Sequence, residues 1–151
     1  MLLAIERAVV ERLGRTLAPL PVEALPSHGY RFGHAKGSAV VALTEVSASG
    51  VEDVGASVQR AQATLEVVLF ARSLRDGAGV WDLFGAARRA LLSWTPVPGA
   101  TPLRVLSARL QDGEADTWIL VTRWQTIVPL APDLDDASGP RVTRVTWTGT
   151  D

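Results

Sequence analysis

The strongest constraint in this 151-residue chain lies in residues 60–98, RAQATLEVVLFARSLRDGAGVWDLFGAARRALLSWTPVP. A two-residue hydrophobic alternation runs into a helical periodicity through a glycine-bearing turn and then stops at prolines. The pattern predicts a strand followed by a helix that must lie on a sheet. In the strand, 62–72, Ala63, Leu65, Val67, Leu69 and Ala71 share one face. Thr64, Glu66 and Arg72 take the other face, together with the apolar Val68 and Phe70. In the helix, 79–93, Val80, Leu83, Phe84, Ala87 and Leu91 form the stripe that faces the sheet. Asp82 in the first turn and Arg88 and Arg89 in the last half suit the helix dipole. Pro96 and Pro98 prevent continuation.

Before this unit, residues 1–17 predict a helix with a stripe of Leu2, Ile5, Val9 and Leu13, widened by Leu3, Val10 and Leu17. It ends at Pro19 and Pro21. Residues 22–25, between prolines, fit a short edge strand. Residues 26–37 form a polar, glycine-rich loop, and 38–47 a strand whose continuous apolar centre predicts burial on both faces. A second loop spans 48–59. After the central helix, residues 103–111 alternate, with Leu106, Ala108 and Leu110 on one face. Asp112-Gly113 signals a hairpin. The return strand, 116–129, puts Trp118, Leu120, Trp124 and Val128 together if no bulge intervenes. Ile119, Val121 and Ile127 share its other face with Arg123 and Gln125, so the strand is either central or meets a partner. Residues 131–151 read as a C-terminal arm or an added edge strand on the domain 1–130, pairing either with a neighbouring chain or with its own sheet.

Composition excludes more than it assigns. The 15 basic and 16 acidic residues nearly cancel, which argues against nucleic acid as the main partner. With no cysteine, disulfides, thiolate catalysis and zinc–cysteine sites are out. No apolar run approaches a membrane span, and Glu6 interrupts what would be the core of a signal peptide.

The chemical motifs fail one by one. Gly77-Ala78-Gly79 stands where a dinucleotide loop would, but the third glycine position holds Asp82, whose carboxylate repels a pyrophosphate. Lys36 stands in a Lys-Gly-Ser order with no helix after it, unlike a phosphate loop. His28 and His34 have no third ligand close in sequence. Asp133, Asp135 and Asp136 lack the glycine and the closing glutamate of a calcium loop. Glu45 and Glu66 on adjacent strands fit an exposed sheet face better than a catalytic dyad. No catalytic constellation remains, and neither a cofactor nor a metal is expected. From the residues alone the chain is a soluble α+β domain.

The segment VVLFARSLRDGAGVWDLFGAARRALLSWTPVPG resembles a tail protein family of Mu-like and related bacteriophages, also found in prophages and associated with tail termination. The features that carry the resemblance are the strand ending in Ala71-Arg72-Ser73-Leu74-Arg75, the glycine turn and the helix with Leu83, Ala87, Arg88, Leu91 and Leu92. The helix then closes on Trp94-Thr95-Pro96. The family usually has glycine before that tryptophan, where this chain has Ser93. Ile5, Leu13, the Leu25-Pro26 segment and the 118–127 strand follow in the expected order, so the resemblance covers roughly residues 1–130 and the last 20 or so less well.

The resemblance implies an α+β fold with a mainly antiparallel mixed sheet, packed by the N-terminal and central helices. It implies a structural virion protein, not an enzyme: a hexameric ring on the head-proximal end of the tail tube. The partners would be the tail tube protein, the head–tail connector or neck protein, and DNA in passive contact as it passes through the channel. No membrane is involved, and assembly takes place in the host bacterial cytoplasm. The alternatives are another neck or tail-completion subunit and, in a different class, a small ligand-binding or enzymatic domain. Arg31, Lys36, Arg141, Arg144 and Trp147, on the loops and tail, are the expected interface residues.

Overall fold

The computed structural model describes residues 2–27, 36–48, 59–77, 79–113 and 116–130. Seven elements follow in chain order: α1 (Leu2–Leu17), β1 (Val22–Ala24), β2 (Gly37–Ala48), β3 (Gln59–Ala71), α2 (Val80–Leu91), β4 (Arg104–Asp112) and β5 (Trp118–Leu130). The strands make one mixed sheet in the order β1-β2-β3-β5-β4. Among the described residues the β1–β2 pair is parallel and the other three pairs are antiparallel. The expected α+β architecture is therefore what forms, with 22–25 on the edge beside β2.

One face of the sheet carries both helices. Ile5, Val9, Leu13 and Leu17 recur every fourth residue of α1 and are buried. In α2 the buried residues are Val80, Leu83, Ala87, Ala90 and Leu91. They join a single cluster with Ala39 and Val41 of β2, the odd residues 61–71 of β3, and Leu120, Trp124 and Val128 of β5. Two stripe residues depart from expectation. Leu3 is 67% exposed, because α1 turns it away from the sheet. Phe84 is half-buried and meets the exposed Trp81 edge to face at 6.1 Å.

β5 pairs with β3 over thirteen residues without a register break, so its even residues share the helix face as the alternation predicts. The polar members of that face are satisfied internally. Trp124 donates its indole N–H to Thr122 Oγ1 at 2.8 Å, and the Thr122 hydroxyl donates to the Val67 carbonyl at 2.7 Å.

The departure in β4 is larger. A register shift between Val105 and Ser107 leaves Leu106, 42% exposed, as the inserted residue without a pairing partner on β5.

The link between α2 and β4 accounts for Ser93. Leu92 has φ −62 and ψ 127, Ser93 has φ +64, and Trp94 N–H donates to Leu91 O at 3.1 Å. That is a type II turn with Ser93 at the position that favours glycine.

Candidate functional site

The other face of the sheet has no helix on it among the described residues. Its residues line up strand by strand as the pairing dictates: Arg104, Gln125, Thr64 and Glu45 in one row; Ser107, Arg123, Glu66 and Ala42 in the next; then Arg109, Val121, Val68 and Val40. Ala42 apart, the first two rows are polar and charged, and the third grades into an apolar end with Phe70 and Ile119.

Two bulges put the charges there. Up to Leu43, β2 keeps its odd residues on the helix face. The shift between Leu43 and Glu45 makes Glu45, not Thr44, the partner of Thr64, which moves Glu45 to the open face. The shift in β4 does the same for Ser107, Arg109 and Gln111. Just ahead of the β2 bulge, the Leu43 N–H donates to Glu6 Oε2 at 2.9 Å. Residues 39, 41 and 43 send their N–H groups to the same side, and Ala39 N–H reaches Pro21 O at 3.0 Å. β1 ends at Ala24, so the α1 carboxylate takes the place of the missing strand acceptor.

Two polar networks result. Arg123 lies between both glutamates, with Nη2 3.6 Å from Glu45 Oε2 and Nε 3.9 Å from Glu66 Oε1. These are ion pairs without hydrogen-bond geometry, and Arg123 Nε is buried with no hydrogen-bond partner. In the neighbouring row both Arg104 Nε, at 3.0 Å, and Arg104 Nη2 donate to Gln125 Oε1. Gln125 Nε2 passes the chain on to Gln62 Oε1 at 3.1 Å. A shallow polar pocket of about 260 Å³ lies beside Arg123, lined by Glu66, Ser107, Arg109, Gln111 and Val121. Glu45 and Glu66 do meet across adjacent strands, but a guanidinium lies between them. The arrangement suits the recognition of a charged surface, and it holds no nucleophile–base pair.

The glycine turn before α2 is occupied by its own backbone. The Val80 N–H donates to Ser73 O at 2.9 Å, and the Asp76 N–H to Ser73 Oγ at 3.0 Å. A Cβ on Gly79 would stand 2.9 Å from Leu74 backbone atoms. Glycine is needed here for close packing, and the first helical N–H is not offered to an anion.

Of the expected contact residues, Lys36 is exposed at the bend that enters β2. Arg31, Arg141, Arg144 and Trp147 lie outside the described residues, as do His28, His34 and the aspartates of the tail. Among the described residues no cluster of three or more metal-ligating side chains occurs, and no helix is long and apolar enough to cross a membrane. Sequence reasoning put Arg123 and Gln125 on this face without making them site residues, and it missed Arg104, Arg109 and Gln62. Their alternation was visible for β3 and β5, but the bulge that aligns β4 with them was not.

Comparison with solved structures finds a chain in the virion of a native gene transfer agent particle, with TM-score 0.58 and 14% identity, over 82% of this chain and 93% of that one. It also finds the sheath/tube terminator of an extracellular contractile injection system, PVC, in its extended state, with TM-score 0.54 and 13% identity. That match takes in 100% of this chain but only 64% of the longer one. At such identities the likeness is one of fold. A comparison with curated proteins found no match. The family model that matches is described as Gp37 protein, over residues 9–149, so the match runs from within α1 nearly to the end of the tail. The chain belongs to the Gp37 protein family.

Proposed function

We propose that the chain is a tail terminator: a structural virion subunit that forms a ring, six-membered in this reading, on the head-proximal end of the tail tube of a Mu-like or related phage. The observation that carries the reading is the fold shared over the full length of this chain with a sheath/tube terminator. The chemistry agrees with it. Stopping a growing tube requires complementary surfaces and no catalytic group, and a closed ring satisfies heterologous contacts without open-ended polymerisation.

In this reading the partners are further copies of the chain, the tail tube protein and the connector or neck protein, with DNA passing through the channel. The loop 26–37, with Arg31 and Lys36, and the arm 131–151, with Arg141, Arg144 and Trp147, supply contacts to these partners. The arm is an added strand that pairs either with a neighbouring subunit or with its own sheet.

The test is electron microscopy of particles whose gene for this chain has been deleted. The expected result is overlong or headless tubes, restored by the gene supplied in trans. Tails of normal length joined to heads overturn the reading. Labelled subunits beside the connector, instead of on the last tube ring, make the protein another neck component.

A further inference from the structure

The last halves of α1 and α2 lie together and form a groove of roughly 390 Å³ lined by Arg12, Arg15, Thr16, Arg89 and Ala90. Its described lining carries three guanidinium groups and no carboxylate. Arg12 is committed: its Nε donates to Ala90 O at 2.5 Å, and its guanidinium stacks 4.7 Å from the centre of the Trp94 ring. Arg15 and Arg89 have no carboxylate partner among the described residues. The two negative helix ends account for part of this positive charge, each supplying about half an elementary charge. Three arginines exceed that, so the groove is left with a net positive field.

The chain itself carries the matching charge. Asp133, Asp135 and Asp136 give three carboxylates in four residues, and they begin three residues after the end of β5 at Leu130. Near its end β5 is bonded to the 99–103 segment. Ile127 O accepts the Thr101 N–H at 2.9 Å, and Pro129 lies next to Gly99. The 99–103 segment is tied back to Trp94 by the Leu103 N–H to Trp94 O bond at 2.9 Å, and Trp94 is the ring under Arg12. Three to six extended residues reach roughly 10–20 Å from Leu130. A tethered segment of this kind is present at an effective concentration on the order of millimolar.

We propose that the acidic segment 133–136 of the same chain docks in the Arg12–Arg15–Arg89 groove and so fixes the point from which residues 137–151 extend. The proposal concerns the isolated chain and does not depend on the ring reading.

The natural chain has no cysteine, so a pair of introduced cysteines reports on the contact without background. Thr16→Cys in the groove and Leu134→Cys between the aspartates leave every charge in place. Under mild oxidation this full-length double variant is expected to form an intrachain disulfide, read by mass spectrometry of the linked peptides. A control pair, Ser107→Cys on the open sheet face with Leu134→Cys, is expected to form it at least ten times less. Raising the salt to 1 M should lower the yield several-fold, and this arm requires no change to the arginines. Adding Arg15→Glu and Arg89→Glu should abolish the link, and reversing Asp133, Asp135 and Asp136 to Arg in that background should restore it. Equal yields in the two cysteine pairs, or a yield indifferent to salt, overturn the proposal. So do interchain dimers, which would put another copy's segment in the groove, and so does short duplex DNA binding the groove while no intrachain link forms.

Discussion

Arg123 and Trp124 are neighbours on β5, and the sheet sends them into opposite environments. Trp124 is 1% exposed, packed under the helices, with its one polar atom bonded to a threonine that is itself bonded. Arg123 is held loosely between two glutamates, with side-chain exposures of 42% for the arginine and 59% and 34% for Glu45 and Glu66. The helix face gains its stability from apolar area removed from water. The open face spends residues on charges that contribute little to the isolated domain, since solvent-screened ion pairs are weak. A chain that carries such a row across four strands has a face suited to contact with something outside the fold.

The comparison can be tested one substitution at a time. The largest expected effect is Trp124→Ala, which leaves a cavity under the helices and should cost about 3–5 kcal/mol by urea denaturation. Next is Glu6→Ala. It removes the acceptor for the Leu43 N–H where β1 runs out, and a cost of about 1–3 kcal/mol is expected in the same measurement. Ser93→Gly runs the other way. It relieves a positive φ of 64 at the type II turn and should raise stability by about 1 kcal/mol, seen as a higher unfolding midpoint. The smallest effect belongs to Arg123→Ala, within about 1 kcal/mol and weakened further by salt. An Arg123→Ala loss as large as that of Trp124→Ala would break the comparison and make the open face part of the folding core.

Most of the scaffold was legible because it rests on periodicity. The β3 alternation, the α2 stripe and the return strand could be read from residue spacing, while the pairing register came only from the folded sheet. The departure at Ser93 was legible as a deviation from a resembling family, and the turn supplies its backbone reason. The charged face was only half legible. Glu66 and Arg123 fall on it by simple alternation. Glu45 was expected beside Glu66 on an exposed sheet face, but alternation places neither it nor Arg109 there, because each lies past a bulge that shifts its strand by one residue, and a one-residue slip reverses which side chains face the core. The arginine groove was invisible for a different reason. Arg12 and Arg89 are 77 positions apart, and no local pattern brings two helix ends together.

What the sequence determined by itself was the type and order of the elements in the described residues. These follow from local spacing and residue chemistry, which do not need the chain to be folded. Only the tertiary structure decided which strands bulge, which carboxylate serves the end of β1, and which arginines converge. Those outcomes depend on where backbone hydrogen bonds run short and on which helix ends pack together. Both are properties of the assembled sheet and helices, not of any one stretch of the chain.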